Sequence, residues 1–359
     1  MFNGQRIRQA REYKGFTQTK LAKLIGVTQG AIAQLEGGFK SPSNELMENL
    51  AAHTQFPLGF FTTDLKTEFP RESIMFRSHA SMTKRKAVEA CRYSEIIYEI
   101  FSALEPYVDL VPITLPKMVG ESPETAARAT RKASQILHDD PILNLTHSVE
   151  LAGVIILSLP SQLEGPDAFS FWLGGESPRP IIAISKEQSM DRLRFSMAHE
   201  IGHLVLGHTG KYRPEEERAA NHFAAELLMP QRAMSLQIIP PVTLSSIATL
   251  KPRWKVSIQA LVRRAFDLHI IADRQYRYLF EQIGANGWRT KEPSNLDVPR
   301  EKPRSLRKMA EIVYGIPIDF ERLAMDVKLH VNMVKNIIES YAEAPQPPKL
   351  ASNLRLLRR

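Results

Sequence analysis

The stretch Met197-Ala198-His199-Glu200-Ile201-Gly202-His203 constrains this chain more than any other. On a helix of about 3.6 residues per turn, histidines four positions apart stand one above the other, so both imidazoles leave the same face. Glu200 follows the first histidine and leans to the side of the same site. Phe195, Ala198, Ile201, Gly202 and Val205 give the helix a broad apolar surface, so it sits buried or half-buried. A histidine on such a face often only packs and hydrogen-bonds. The full His-Glu-x-x-His pattern says more, because it supplies two imidazoles for a zinc ion and a carboxylate that accepts a proton from water. Ser185 or Ser189 can cap this helix, and Ser185 has Gln188 three residues on, a capping-box pattern.

A catalytic zinc is held by three protein groups and keeps one position for water. Residues 214–230 offer the third group. Pro214 suits a first helical turn, and Glu215, Glu216 and Glu217 suit its positive dipole end, which accounts for the glutamate run without any metal. Ala220, Phe223, Ala224, Leu227 and Leu228 define the buried face of this helix. Glu217 lies three residues before Ala220 and seven before Ala224, on that same side, whereas Glu215 and Glu216 align less well. Asn221, one turn after Glu217, can hydrogen-bond a ligand histidine from behind. His208 and Tyr212 lie close enough in sequence to contribute, without a role that spacing can assign.

A chain of 359 residues holds two or three domains. The single cysteine, Cys91, permits no internal disulfide and reads as a packed small residue. Residues 1–6 lack the apolar run of a signal peptide or a membrane helix, so the expected location is the cytoplasm, with no membrane partner. The net charge of +8 favours acidic partners, DNA first among them, although a solvated basic surface gives the same number.

Residues 1–62 read as a compact helical head. Ile7 and Ala10, then Leu21, Leu24 and Ile25, then Ile32 and Leu35 fall at helical spacing in short segments separated by turn signals. Thr17 and Thr28 are good N-cap residues, Gly26 can take the left-handed conformation that ends a helix, and Ala22 is small enough for close helix packing. Over residues 4–62 this resembles the XRE-type, lambda-repressor-like helix-turn-helix. The resemblance implies double-stranded operator DNA as a partner, bound by a homodimer. It makes Gln18 a clamp on the DNA backbone and puts Thr28, Gln29, Gly30 and Gln34 on or at the recognition helix. Gln29 and Gln34 have the right chemistry to pair with adenine.

After a connector at 63–82, residues 84–104 read as a long amphipathic helix with Val88, Cys91, Ile96, Ile97, Ile100 and Phe101 inward, and 123–137 as another. Short runs at 154–157, 169–172 and 181–184 have strand length and composition, with a hairpin loop at 174–178, so a small sheet precedes the zinc helix and packs on it. Beyond it, 244–268 outlines another helix–turn–helix with Ser257 as a cap; its Arg253, Lys255, Arg263 and Arg264 permit a second DNA contact, or support of the site. Residues 284–305 read as a polar loop, 306–341 as helical, and 344–359 as a disordered basic tail.

The segments 194–203 and 217–230 together resemble the ImmA/IrrE family of zinc metallopeptidases. That resemblance covers about residues 70–235 and implies Zn2+ held by His199, His203 and Glu217, with Glu200 as general base. Ala219 and His222 stand where many relatives carry other side chains, and neither belongs to the ligand set. The expected fold is multidomain and mainly α. It comprises an all-α head at 1–62, an α+β zincin-like domain with a small sheet at 83–235, a helical extension at 236–283 and a helical C-terminal region at 284–343. The expected function is a DNA-binding regulator with an endopeptidase that cuts a helix-turn-helix repressor, or acts on itself, in a stress, phage or mobile-element response. The competing expectation is a non-proteolytic transcription factor or antitoxin-like repressor whose zinc fold serves as sensor or dimerisation body.

Overall fold

A computed structural model describes residues 2–65, 67, 69–70, 83–137, 139–160, 168–174, 178–185, 189–208 and 213–342. The fold is mainly helical around one three-stranded sheet. The head comprises α1 (Gly4–Tyr13), α2 (Gln18–Leu24), α3 (Gln29–Glu36) and α4 (Asn44–Thr54). Thr17 accepts a hydrogen bond from Lys20 N and Thr28 one from Ala31 N, so both threonines cap as their chemistry predicts. Gly26, at φ +72°, turns the chain between α2 and α3.

Beyond the head come α5 (Lys84–Leu104), α6 (Pro123–Ala133) and α7 (Leu145–Leu151), then β1 (Ile155–Ser158), β2 (Ala168–Leu173) and β3 (Arg179–Ile184). Helix α6 stops four residues short of the expected 137, because Ser134 leaves the helix and Gln135 takes a left-handed φ of 56°. The strand order is β1-β3-β2, with β1 parallel and β2 antiparallel to β3. Helices α8 (Met190–Leu206) and α9 (Pro214–Leu228) follow, then α10 (Gln231–Gln237), α11 (Leu244–Ala248), α12 (Lys251–Trp254), α13 (Ile258–Asp267) and α14 (Asp273–Ala285). The last three helices are α15 (Ser305–Tyr314), α16 (Phe320–Val327) and α17 (Val331–Ile338).

Because side chains alternate along a strand, the sheet separates two cores. Ile156, Ile182 and Ile184 face one, shared with Met197, Ile201 and Val205 of α8, Phe223 and Leu227 of α9, and α11–α14. Ile155, Leu157, Phe169, Phe171, Ile181 and Ala183 face the other, which holds α5, the head and α15–α17. The apolar segment after α4 belongs here too: Phe56, Phe60 and Phe61 are buried, as its composition requires. Polar contacts seal the join of α1 to α5. Arg6 bonds Glu99 at 2.5 Å, Gln9 reaches Glu95 at 3.2 Å, and Arg92 bridges Glu95 at 2.6 Å and Glu12 at 2.8 Å. Cys91 is buried in this join beside Glu95, while Val88 is only half-buried.

Among the described residues no helix is long and apolar enough to cross a membrane. The centre of the connector, the middle of the 174–178 loop, the Ser185–Gln188 capping box in part, Tyr212 and the 344–359 tail lie outside the described residues.

Candidate metal centre and DNA-facing surface

Helix α8 begins with Ser189 at its N-cap position, so Ser185 is not the cap, and ends at Gly207, whose φ of 71° closes it. Its packing against α9 depends on Gly202. A Cβ there would stand 3.0 Å from Phe223 Cδ1 and 3.2 Å from the Ala220 Cα, tighter than ordinary contact, so the missing side chain helps the two helices meet this closely. That approach brings Glu217 of α9 to the histidine pair of α8.

Glu217 Oε2 lies 3.3 Å from His199 Nε2, and its Oε1 lies 3.4 Å from His203 Nε2. The two Nε2 atoms are 2.9 Å apart, and one donor atom from each residue falls within 4.8 Å of the others. Two imidazole nitrogens and a carboxylate this close suit a small divalent cation, which binds such donors at about 2.0–2.2 Å. Glu215 and Glu216 do not join the set.

The outer atoms of both rings are held. Asn221 Oδ1 lies 2.9 Å from His199 Nδ1. As an amide oxygen can only accept, that nitrogen carries the proton and Nε2 keeps its lone pair toward the cluster. His208 Nδ1 lies 2.9 Å from His203 Nδ1, so His208 stands behind the second ring. Burial works against charge on His199. The hydrogen bond to Glu217 and the charges of Glu200 and Glu217 outweigh it and hold the imidazole pKa above its ordinary value. An environment that favours a proton on this ring favours a metal cation for the same electrostatic reason.

Glu200 is buried, 7% exposed. Ser170 of β2 approaches it twice, at 2.6 Å from Oε2 and 3.1 Å from its backbone oxygen. Trp172 Nε1 donates to the Leu204 carbonyl at 3.2 Å, which docks the same strand on α8 further along. Neither role is marked by the motif. The available signal is parity: Ser170 shares a strand face with Ala168 and Trp172 and is the one hydroxyl among aromatic neighbours.

The cluster lines a cleft of about 1080 Å³, bordered by α8, α9, α13 and the 288–300 segment. That segment and Glu301 just beyond it carry carboxylates turned away from solvent. Glu292 bonds Lys251 at 2.6 Å, as Asp191 of α8 also does, and Glu301 pairs with the buried Arg194 of α8. The basic residues after α9 are largely committed to such contacts. Arg264 is buried against Glu226, Arg263 pairs with Asp267 at 2.9 Å, and Lys255 donates to the Leu143 carbonyl. Arg253 and Arg263 keep exposed side chains, while Arg264 and Lys255 are drawn into the packing of the domain itself.

On the head, Thr28, Gln29, Gly30 and Gln34 are exposed on α3 while Ile32 and Leu35 face the core. Gln18 is half-buried; its amide donates to Glu36 at 2.9 Å and its oxygen accepts from Gln29 at 2.8 Å. Glu36 in turn pairs with Arg11 at 2.5 Å. This chain of contacts orders the start of α3 before any DNA arrives.

Residues 7–61 match the family model described as helix-turn-helix, and residues 149–266 match that of the IrrE N-terminal-like domain. No curated protein matches the chain. Among solved structures, that of Bacillus thuringiensis PlcR in complex with the peptide PapR7 and DNA aligns at 11% identity over 94% of this chain and 91% of that one. Its TM-score of 0.17 makes the likeness too slight to say anything about this chain. Residues 7–61 are thus an XRE-type helix-turn-helix and residues 149–266 an IrrE-like domain, joined in one chain.

Proposed function

We propose that this chain is a DNA-binding regulator whose second domain is a zinc-dependent endopeptidase acting on a protein substrate, a helix-turn-helix repressor or the chain itself. The observation that carries the reading is the union of a complete donor set, His199, His203 and Glu217 within 4.8 Å, with a buried carboxylate on the next residue, Glu200. A purely structural zinc site is closed by four protein ligands and needs no general base.

Bound zinc supplies Lewis acidity, polarising a carbonyl and acidifying a water. The chain's own residues do the rest. His199, His203 and Glu217 hold the ion, with Asn221 fixing the first ring and His208 backing the second. Glu200 accepts the proton of the attacking water and passes it to the leaving amine, and Ser170 keeps that carboxylate aimed. His199, His203, Glu217 and Glu200 line one cleft of about 1080 Å³. On the head, Gln29 and Gln34 read adenine edges and Gln18 steadies the helix that carries them, with a homodimer supplying a second half-site.

One observation favours a second reading, in which the zinc fold is a sensor body without proteolysis. The head and the back of the sheet share a single core, so a change at the sheet has a packed route to the head. Glu200→Gln separates the two. It should retain zinc, measured by metal content, and lose cleavage of a helix-turn-helix repressor. Undiminished regulation in cells by this variant would sink the peptidase reading and leave the sensor. For the head, Gln29→Ala in a gel-shift series should relax sequence preference; unchanged affinity and preference would remove Gln29 from base readout.

A further inference from the structure

The cleft over the His/His/Glu cluster has a charge bias that the fold does not need. Its buried cations are spent internally: Lys251 lies 2.6 Å from both Asp191 and Glu292, and Arg264 pairs with Glu226. Of the other cations that line the cleft, Arg263 pairs with Asp267 and Arg192 and Arg300 also have partners, which leaves Arg218 on α9 and Arg289 and Lys291 on the segment after α14. All three are exposed, and none is in an ion pair among the described residues. Against them stands one exposed carboxylate of the lining, Asp297. Glu217 and Glu200 lie deeper and are occupied with the histidines and with Ser170.

We infer that the cleft selects acidic peptide segments, with Arg218, Arg289 and Lys291 taking carboxylates on the two sides of the bond lying over the cluster. This deepens the endopeptidase reading and rests on it. Cations spaced around a concave, low-dielectric wall focus the field into the groove and concentrate anionic ligands there. Arginine adds a planar fork that matches a carboxylate through two parallel hydrogen bonds. Two walls of one sign orient an extended chain between them and reject a basic one by like-charge contact, which sets specificity more than total affinity. The shape favours a peptide over a nucleic acid. The histidines lie in a cleft of about 1080 Å³, near the roughly 1,000 Å³ upper end of small-ligand sites, and a duplex presents its phosphates on a convex cylinder that cannot enter it.

The test uses the zinc-loaded full chain carrying Glu200→Gln, so that binding is read without turnover. Two fluorescein-labelled peptides of equal length and equal apolar content, one bearing four Asp or Glu and the other four Lys, are titrated by anisotropy. The acidic peptide is expected to bind at least about tenfold more tightly, and Arg218→Glu/Arg289→Glu/Lys291→Glu should erase or reverse that preference. Because the three side chains are exposed, the melting temperature should not move, and Arg289→Glu alone should give a partial effect. Equal binding of the two peptides, or a preference that survives the triple variant, overturns the inference. So does displacement of the acidic peptide by duplex DNA to the same extent in both forms, which would place the binding on the head. Absence of cleavage by the chain with Glu200 intact, with the charge preference preserved, would instead count against the peptidase reading alone.

Discussion

Ser170 Oγ lies 2.6 Å from Oε2 of Glu200, linking the middle strand residue of β2 to the carboxylate beside the first histidine. A hydroxyl there donates to the charged form of the carboxylate and fixes which oxygen points to the cluster. Ser170→Ala is expected to leave zinc content unchanged and to lower kcat by about 10- to 100-fold with little effect on KM, as loss of a supporting hydrogen bond does at metal sites. A variant with full kcat would show that Glu200 is held by its other surroundings.

Removal of the metal should be visible in stability. A ligand that binds only the folded chain adds about 2.7 kcal/mol when its free concentration is 100 times Kd. Zinc at that excess should therefore raise the unfolding free energy of the chelator-treated protein by about that amount, and of Glu217→Ala by much less, as the variant keeps only two of the clustered donors. Equal stabilisation of both proteins would take Glu217 out of the ligand set.

Much of this was legible because the signals are local. The 3.6-residue period located α8, α9 and α5, and placed Glu217 and Asn221 on the side of α9 that meets the histidines. Threonine caps and Gly26 marked the head. What stayed hidden is what depends on distant partners. An amphipathic stripe says that α5 is covered, but not that its cover is the head and the back of the sheet. Glu292 and Glu301 look like solvated loop residues, yet each is committed to a cation far away in sequence, Lys251 and Arg194. Ile312 falls in the stretch that reads as helical and is 60% exposed, so its apolar character does not mark the buried side. Arg264 reads as available to DNA, yet it is buried against Glu226 of α9, and burial of charge pairs carries no periodicity.

The Asp191–Lys251–Glu292 node gives the start of α8 a pH-dependent anchor. Burial opposes the Asp191 carboxylate, but Lys251, Ser189 and the Arg192 amide outweigh it and set its pKa below the ordinary value. Its contribution to stability is thus complete above about pH 3.9 and disappears as pH falls through the lower folded-state value. Burial likewise opposes the Lys251 ammonium, and the hydrogen bonds to Asp191 and Glu292 more than compensate, raising its pKa. That contribution is complete below about pH 10.4 and is lost as pH rises through the higher folded value. Between these limits the node is constant, and Lys251→Met should cost about 3–5 kcal/mol in denaturant titrations at pH 7, since two buried carboxylates lose their cation. An acid limb of the stability curve unchanged in this variant would show that the node does not contribute there.

Tyr341 closes the outer edge of β1. Its hydroxyl donates to the Ile156 carbonyl at 3.0 Å and accepts from the Ser158 amide at 3.1 Å, tying the end of the described chain to the sheet. The ring is 1% exposed, and burial pushes its hydroxyl pKa far up, so it stays a donor throughout the range in which the protein is handled. Tyr341→Phe keeps the ring but leaves two buried backbone groups without that partner, an expected loss of about 1–3 kcal/mol. The loss should not be confined to the sheet. Tyr341 belongs to the same core as Ile32 and Leu35 of α3, so head and sheet back should open as one unit. In hydrogen exchange, amides of α3 and of β2 should accelerate together in the variant, by about one to two orders of magnitude. Acceleration of the β2 amides with α3 unchanged would mean that the head unfolds independently, and would remove the packed route by which the metal domain could bias DNA binding.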